Sequence, residues 1–246
     1  MKYKCTNGGY ATIIEHNKGD IYCLVEFDNV ISQRGYVGYS NLCNGRVKNP
    51  WQPTVRGVGY IGKIFDKDHP LSKNIAYKHW VKMIERCYNP MHHKYKFYGA
   101  KGVTVCEEWL CFANYETWFN QHYYEIPNCD MVVDKDVLDK TNKIYSPNAC
   151  IIVPSDINKL FCNASNIRGN LPIGVAYHKQ NHNYIATISI DNKAHHLGCF
   201  DTITEAFISY KVAKEQYIKE MADKYKEYLP QQVYDAMYAY EVEITD

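Results

Sequence analysis

The stretch Tyr184-Ile-Ala-Thr-Ile-Ser-Ile190 decides the fold of the C-terminal part of this chain. Side chains alternate between the two faces of a β-strand, so its even-numbered residues share one face and its odd-numbered residues share the other. The first face is apolar and consists of Tyr184, Ala186, Ile188 and Ile190. The second is more polar and consists of Ile185, Thr187 and Ser189. The stretch therefore predicts a strand with a helix packed on its even-numbered face.

Two further strands flank this stretch. Residues 173–177 and 194–200 are short runs of β-branched, aromatic and small residues, and polar turns over 180–183 and 191–193 separate them from it. We therefore expect a three-stranded sheet over this part of the chain.

A long helix is predicted after the sheet. Residues 201–204 suit a helix cap, and Glu205 adds a favourable negative charge to the first turn. Apolar residues then keep the helical period from Ala206 to Met221. We expect this helix to run to about residue 229, and a short helix over 232–240 to follow it.

The order of motifs in residues 170–215 resembles the AP-two (ethylene-response-factor) type of DNA-binding domain. The motifs are Gly174-Val-x-Tyr177, Tyr184-x-Ala-x-Ile188, His196-Leu-Gly-x-Phe-Asp-Thr-x-x-Glu-Ala206 and Tyr210-Lys-x-Ala213. In that family the sheet enters the major groove of double-stranded DNA while the helix packs behind it. The resemblance implies DNA contacts from four polar residues, namely His178, Thr187, Ser189 and His196, and the nearby Lys179 and Lys193 are added as candidate DNA-binding residues.

The residues at these positions suit weak rather than guanine-specific recognition. Two further positions at which the family contacts DNA hold Ala176 and Ala194. None of them is an arginine, whose pairing with guanine is the commonest specific contact in the major groove. Lys179 and Lys193 are expected to hold phosphates. The structural alternative is a small α+β packing domain with a solvated sheet face.

The central part of the chain, residues 70–165, predicts a β-hairpin followed by a helix. Apolar spacing predicts helices over 74–88 and near 112–122. Residues 131–138 and 151–153 suit the two strands, with carboxylates at the end of the first. Pro154 then opens the helix that follows.

This central part resembles the HNH-type homing nucleases encoded by phages. The motifs are Trp80-x-x-Met83-x-x-Arg86-Cys87, Tyr98-Gly-x-x-Gly102-Val-x-Val-Cys106-x-x-Trp109, Val133-Asp134-Lys135-Asp136 and Tyr145-Ser-Pro-Asn-Ala-Cys150. The resemblance implies a ββα-metal module that holds one divalent cation, Mg²⁺, for DNA cleavage. In the family a histidine activates water, while an aspartate and an asparagine complete the metal site.

The chain departs from that pattern at two of the three roles. Asp134 stands at the metal aspartate, Lys135 at the histidine and Ala149 at the asparagine. The candidate catalytic residues are Asp134, Lys135, Asn148 and Asn158, and the candidate metal ligands are Asp134 and Asp136. The alternatives are a solvated charge pair at a turn and a module that serves only as a platform.

A zinc site has weak support in the cysteine pattern. Cys87, Cys106 and Cys150 are candidate ligands, with Cys129 and nearby histidines as further donors. The chain has no Cys-x₂-Cys pair, which is the usual spacing of a structural zinc site. Small buried thiols are the alternative.

Residues 1–65 predict a small β module. Two β-branched and aromatic runs, 10–16 and 21–27, are separated by the turn signal Asn17-Lys-Gly-Asp20. We expect a bent β-barrel or a meander here. The chain is therefore expected to be an α+β protein with three modules, at 1–65, 70–165 and 170–246.

Composition limits the function classes. The 246 residues are 46% hydrophobic, and no run approaches the roughly 18 apolar residues that cross a bilayer. The N-terminus has no apolar signal region, so we expect a cytoplasmic protein with ten reduced cysteines, in the host cell if it is phage-encoded. The net charge of +1 hides an acidic C-terminal segment, since residues 201–246 hold 10 acidic and 5 basic residues.

Three function hypotheses follow from the sequence. The first is a DNA-binding protein of the homing-endonuclease type, from a phage or mobile element, with possible Mg²⁺-dependent nicking or cleavage. The second is a catalytically inactive DNA-binding regulator. The third is a phage accessory protein that binds a host protein through its tyrosine-rich, acidic C-terminal segment.

Overall fold

The computed structural model describes residues 1–28, 33–64, 70–161 and 170–245. The protein has mixed α+β structure, which confirms the predicted class. It divides into two compact units, residues 1–123 with 143–149 and residues 124–142 with 150–246. The predicted module limits at 65 and 165 lie outside the described residues. Within the described ranges, no helix is long and apolar enough to cross a membrane.

The first unit begins with an antiparallel meander. Its four strands are β1 (Lys2–Lys4), β2 (Tyr10–Glu15), β3 (Tyr22–Phe27) and β4 (Gln33–Gly38), in that spatial order. The predicted turn at 17–20 joins β2 to β3. The sheet and the short helix α1 (Tyr39–Cys43) enclose a core of Cys5, Ala11, Cys23, Val25, Phe27, Leu42 and Val47.

An aromatic helical core forms the rest of the first unit. Its elements are α2 (Ile75–Tyr88), β5 (Thr104–Val105), α3 (Glu107–Leu110), α4 (Phe112–His122) and β7 (Ile144–Tyr145), which pairs in parallel with β5. Helix α2 matches the predicted span because the Asn74 side chain accepts the N–H of Tyr77 and caps it. The buried Trp80 donates its indole N–H to the carbonyl of Trp109 at 2.6 Å.

The second unit contains a strand pair followed by a helix. Strand β6 (Met131–Asp134) pairs antiparallel with β8 (Ile151–Pro154), and α5 (Ser155–Leu160) follows. The predicted strand over 131–138 is too long. It ends at Asp134 because the carboxylate of Asp134 accepts two backbone N–H groups from the next residues and turns the chain.

The same unit holds the three-stranded antiparallel sheet, with spatial order β11-β10-β9. The strands are β9 (Val175–His178), β10 (Asn183–Ile190) and β11 (Lys193–Phe200). Asp191 and Asn192 have φ values of 50° and 62°, which suit the tight two-residue turn between β10 and β11.

Helix α6 (Ile203–Lys224) follows the sheet and α7 (Gln231–Tyr238) follows α6. Thr202 and Glu205 cap α6 reciprocally through each other's backbone N–H groups. The predicted end of this helix near 229 is wrong. The N–H of Tyr225 bonds to both Met221 and Ala222, so the last turn tightens and the helix ends at Lys224.

Candidate nucleic-acid interface

The three-stranded sheet has one face in the core and one face free of the helix. Tyr184, Ala186, Ile188 and Ile190 belong to an apolar cluster with residues of α6, including Phe207 and Tyr210. This is the side predicted from the alternation in β10. The motif residue Gly174 enters the same cluster: its φ is +77°, and an added Cβ would lie 2.0 Å from the Tyr210 ring.

Four of the predicted DNA-contacting residues lie on the opposite face. Thr187 pairs with His196 across β10 and β11, and Ser189 pairs with Ala194. His178 pairs with Asn183 at the other edge of β10. Ser189 and His196 are exposed, while Thr187 and His178 are half-buried. This outward face (Ala176, His178, Ile185, Thr187, Ser189, Ala194 and His196) is therefore a surface of hydroxyl, imidazole and small groups.

The two lysines predicted to hold phosphates lie outside this face. Lys193 pairs with Ile190, so strand alternation puts its Cβ on the helix side of the sheet. Lys179 lies in the turn after β9. Both side chains are exposed at ends of the sheet.

A β-bulge adds a residue to the outward face that the sequence did not predict. Thr187 pairs with His196 while Ala186 pairs with Gly198, so Leu197 is an extra residue in β11. The bulge lets Leu197 and Phe200 both pack on the helix side, and it brings Cys199 to the outward side opposite Ile185. The Cys199 thiol lies 3.8 Å from Nε2 of His196. In the sequence, a glycine inside a predicted strand often marks a bulge, and Gly198 is such a glycine. Its φ in the structure is +150°.

Asp134 is buried within a backbone turn. Its side chain is 5% exposed, and its Oδ1 accepts the N–H groups of Asp136 and Val137, both at 2.7 Å. Burial raises the pKa of the Asp134 carboxyl above its usual range, and the nearby charge of Asp136 adds to this, although the two N–H groups oppose it. The arrangement is that of a side chain that terminates a strand.

Lys135, which stands at the position of the family's histidine, is also buried, with 6% of its surface exposed. Its ammonium donates to the carboxylate of Asp136 and, at 2.8 Å, to the carbonyl of Asn142. The Asn142 amide in turn donates to the Lys135 carbonyl at 3.2 Å. The Lys135 side chain is therefore bonded to the same turn that contains Asp134 and Asp136.

The predicted Mg²⁺ ligands Asp134 and Asp136 both form hydrogen bonds within the turn. Oδ1 of Asp134 accepts two backbone N–H groups, and Oδ1 of Asp136 accepts a hydrogen bond from the Lys135 ammonium. Within the ranges that the structure describes, no group of three or more His, Cys, Asp or Glu side chains is placed to hold a metal ion.

The remaining predicted site residues are divided between the two units. Asn148 is exposed in the first unit, and Asn158 lies in α5 of the second. Cys87 and Cys106 belong to the first unit, and Cys150 belongs to the second. Cys87 and Cys150 are buried, and burial raises the pKa of the Cys106 thiol, which disfavours the thiolate form that zinc requires.

Comparisons of the chain with protein-family models, curated protein sequences and solved structures found no match.

Proposed function

We propose that the protein binds double-stranded DNA through the outward face of β9, β10 and β11. The observation that carries the proposal is the division of this sheet into an apolar side under α6 and a polar side with Thr187, Ser189 and His196 in adjacent strands. Groups of this kind donate and accept hydrogen bonds, and the major groove offers a donor and acceptor pattern that differs for each base pair.

The chemistry of the face supports moderate sequence preference. Hydroxyl and imidazole groups bond to base edges singly, whereas arginine bonds to guanine through two parallel N–H groups. Ile185 and the alanines offer apolar contact of the kind that suits a thymine methyl group. We therefore expect recognition of an A·T-containing site, with phosphate contacts supplied by other parts of the protein.

A selection from random-sequence 30-base-pair duplexes tests the proposal. The wild-type protein is expected to enrich a preferred sequence, and the double variant Thr187→Val/His196→Ala to lose roughly tenfold or more of that preference. His195→Ala is the matched control, because His195 is exposed on the same strand but pairs with Ile188 on the helix side. No enrichment by the folded wild-type protein would refute the proposal, as would an equal loss in the control.

Within the DNA-binding class, the geometry at Asp134 favours a regulator over a nuclease. The Lys135 side chain is bonded to Asp136 and to the carbonyl of Asn142, and Asp134 accepts two N–H groups of a backbone turn. The strand pair β6 and β8 followed by α5 then serves as a platform. The same order of elements is the one that the nuclease resemblance implies, so cleavage is the second candidate function.

A plasmid assay separates these two candidates. Supercoiled plasmid that carries the DNA flanking the gene is incubated with the protein and Mg²⁺ or Mn²⁺, and Asp134→Asn is tested in parallel. The regulator predicts intact plasmid and equal DNA affinity for both proteins. Nicking by the wild-type protein that Asp134→Asn abolishes would establish the nuclease instead.

A further inference from the structure

The first unit contains a strongly basic segment that the near-zero net charge of the chain conceals. Residues 73–106 hold seven lysine or arginine residues and a single acidic residue, Glu85. The Glu85 carboxylate is already bound by Arg56 at 2.6 Å and by the Asn89 amide at 2.6 Å. The segment therefore has no acidic group left to compensate its own lysines.

Five exposed lysines of this segment define what we call the basic surface. They are Lys78, Lys82, Lys94, Lys96 and Lys101. None of the five forms an ion pair with a residue of the described ranges, whereas other surface cations do: Arg34 binds Glu26, Lys63 binds Glu116 and Lys159 binds Asp156. Cations without an ion-pair partner among the described residues can exchange their counterions for phosphates.

The lysines of the helix and those of the following loop are linked through Arg86. Lys78, Lys82 and Arg86 are spaced by four residues, so they form one stripe along α2. The guanidinium carbon of Arg86 lies 4.8 Å from the Tyr98 ring centre and 4.6 Å from that of Tyr145. The stripe therefore ends against Tyr98, in the loop that carries Lys94, Lys96 and Lys101.

Close packing fixes this loop against α2. An added Cβ at Gly99 would lie 2.2 Å from the carbonyl oxygen of Cys87, so only glycine permits this approach. The Tyr88 hydroxyl accepts the N–H of Val105 at 3.0 Å, which fixes the strand that follows the loop. The backbone that carries the five lysines is thus held in place before any ligand binds, which lowers the entropic cost of binding.

The surroundings of the stripe are consistent with a positive local potential. The pKa of His79 is lowered to about 4, first by burial and then by the charges of Lys82 and Arg86. Phe97 is 45% exposed, and the Lys96 ammonium lies 4.9 Å from its ring centre. A cluster of lysines with a positive local potential suits a polyanion such as DNA rather than an apolar protein partner.

We propose that the basic surface binds the phosphate backbone of double-stranded DNA, independently of base sequence. This inference rests on the proposed DNA-binding function and adds a second contact region, in a unit other than the one that holds the sheet. Phosphate contacts fix position and supply affinity without reading sequence, and they are made chiefly by lysine, arginine and backbone N–H groups.

The test compares two triple variants that remove the same charge from the same unit. Lys78→Ala/Lys82→Ala/Lys96→Ala removes three cations of the basic surface. The matched control, Lys2→Ala/Lys4→Ala/Lys18→Ala, removes three exposed lysines of the N-terminal meander. Binding to a 24-base-pair duplex of arbitrary sequence is measured by fluorescence anisotropy at 100 mM salt, and circular dichroism verifies that each variant is folded.

The basic-surface variant is expected to bind the duplex about 10³-fold more weakly than the wild-type protein, since each of the three lost phosphate contacts removes roughly a factor of ten at this salt concentration. The control is expected to stay within a few-fold of wild type. Equal losses in the two variants would overturn the inference but not the proposed function. A wild-type protein that binds no duplex even at 50 mM salt would overturn both.

Discussion

The outward sheet face of the second unit and the basic surface of the first differ in the groups that they present. The sheet face holds imidazole, hydroxyl and small side chains and no lysine or arginine. The basic surface holds five lysines without ion-pair partners among the described residues. Base edges are recognised by hydrogen bonds of fixed geometry, whereas phosphates are bound by charge. The difference teaches that affinity and sequence preference need not reside in the same part of one chain.

The largest effect that distinguishes the two surfaces is expected from Gly174→Ala. The new methyl group would clash with the Tyr210 ring, and the positive φ of 77° adds a backbone penalty. We expect a loss of about 3 kcal/mol in the free energy of unfolding of the second unit. Urea denaturation followed by tyrosine and tryptophan fluorescence measures it. Sequence preference should decrease because the methyl group displaces the sheet from α6, while binding to arbitrary duplex DNA should persist.

Gly102→Ala is the control for this variant. Gly102 has a φ of +80°, nearly that of Gly174, but no atom lies within 4 Å of an added Cβ. Its substitution should cost only about 1 kcal/mol, from the backbone penalty alone. If both substitutions cost the same, packing of Gly174 against Tyr210 does not hold the sheet on α6.

A smaller loss of unfolding free energy is expected from substitution of Asp134, which belongs to neither surface. Asp134→Ala leaves the buried N–H groups of Asp136 and Val137 without their acceptor, at a cost of about 2 kcal/mol in the free energy of unfolding. Asp134→Asn keeps one acceptor oxygen and should lose clearly less. Thermal unfolding compares the two, and both should bind duplex DNA like the wild-type protein below their unfolding temperatures. Weaker DNA binding by folded Asp134→Asn would place this turn in the interface.

How far the sequence predicted these features depends on whether local spacing or tertiary contact decides them. Helix α2 was predictable because its apolar period, its Asn74 cap and Pro90 all agree. The faces of β10 were predictable from alternation alone. The end of β6 was not, since the run after Asp134 continues to look strand-like until its carboxylate bonds to the backbone.

The bulge in β11 and the basic surface were missed for different reasons. Leu197 and Phe200 share the core side only because an extra residue interrupts the alternation, which the sequence signals through Gly198 alone. The lysines of residues 73–106 could have been counted in the sequence. Their exposure, their lack of ion-pair partners in the described ranges and the loop packing against α2 required coordinates.

The smallest predicted effect is a pH dependence of stability that originates at Asp134. Its folded pKa is raised by burial above the unfolded value of about 3.9, so its contribution to stability is present below the unfolded pKa and is lost as pH rises through the folded one. In Asp134→Asn this contribution is absent. The difference in unfolding free energy, wild type minus variant, should therefore increase as pH is lowered from 7 toward 4. A difference that stays constant with pH would contradict Asp134 as the origin of this pH dependence.

The most direct test of the division between the two surfaces is the salt dependence of duplex binding, measured on a selected sequence and on an arbitrary one. The variant Lys78→Ala/Lys82→Ala/Lys96→Ala should reduce the slope of log K against log salt by about 2.7 on both duplexes and leave their affinity ratio unchanged. Thr187→Val/His196→Ala should reduce the affinity ratio and leave the slope unchanged. Two results would show that the surfaces do not have separate roles. One is a changed affinity ratio in the lysine variant, and the other is a reduction of the salt slope by about 2.7 in the sheet variant.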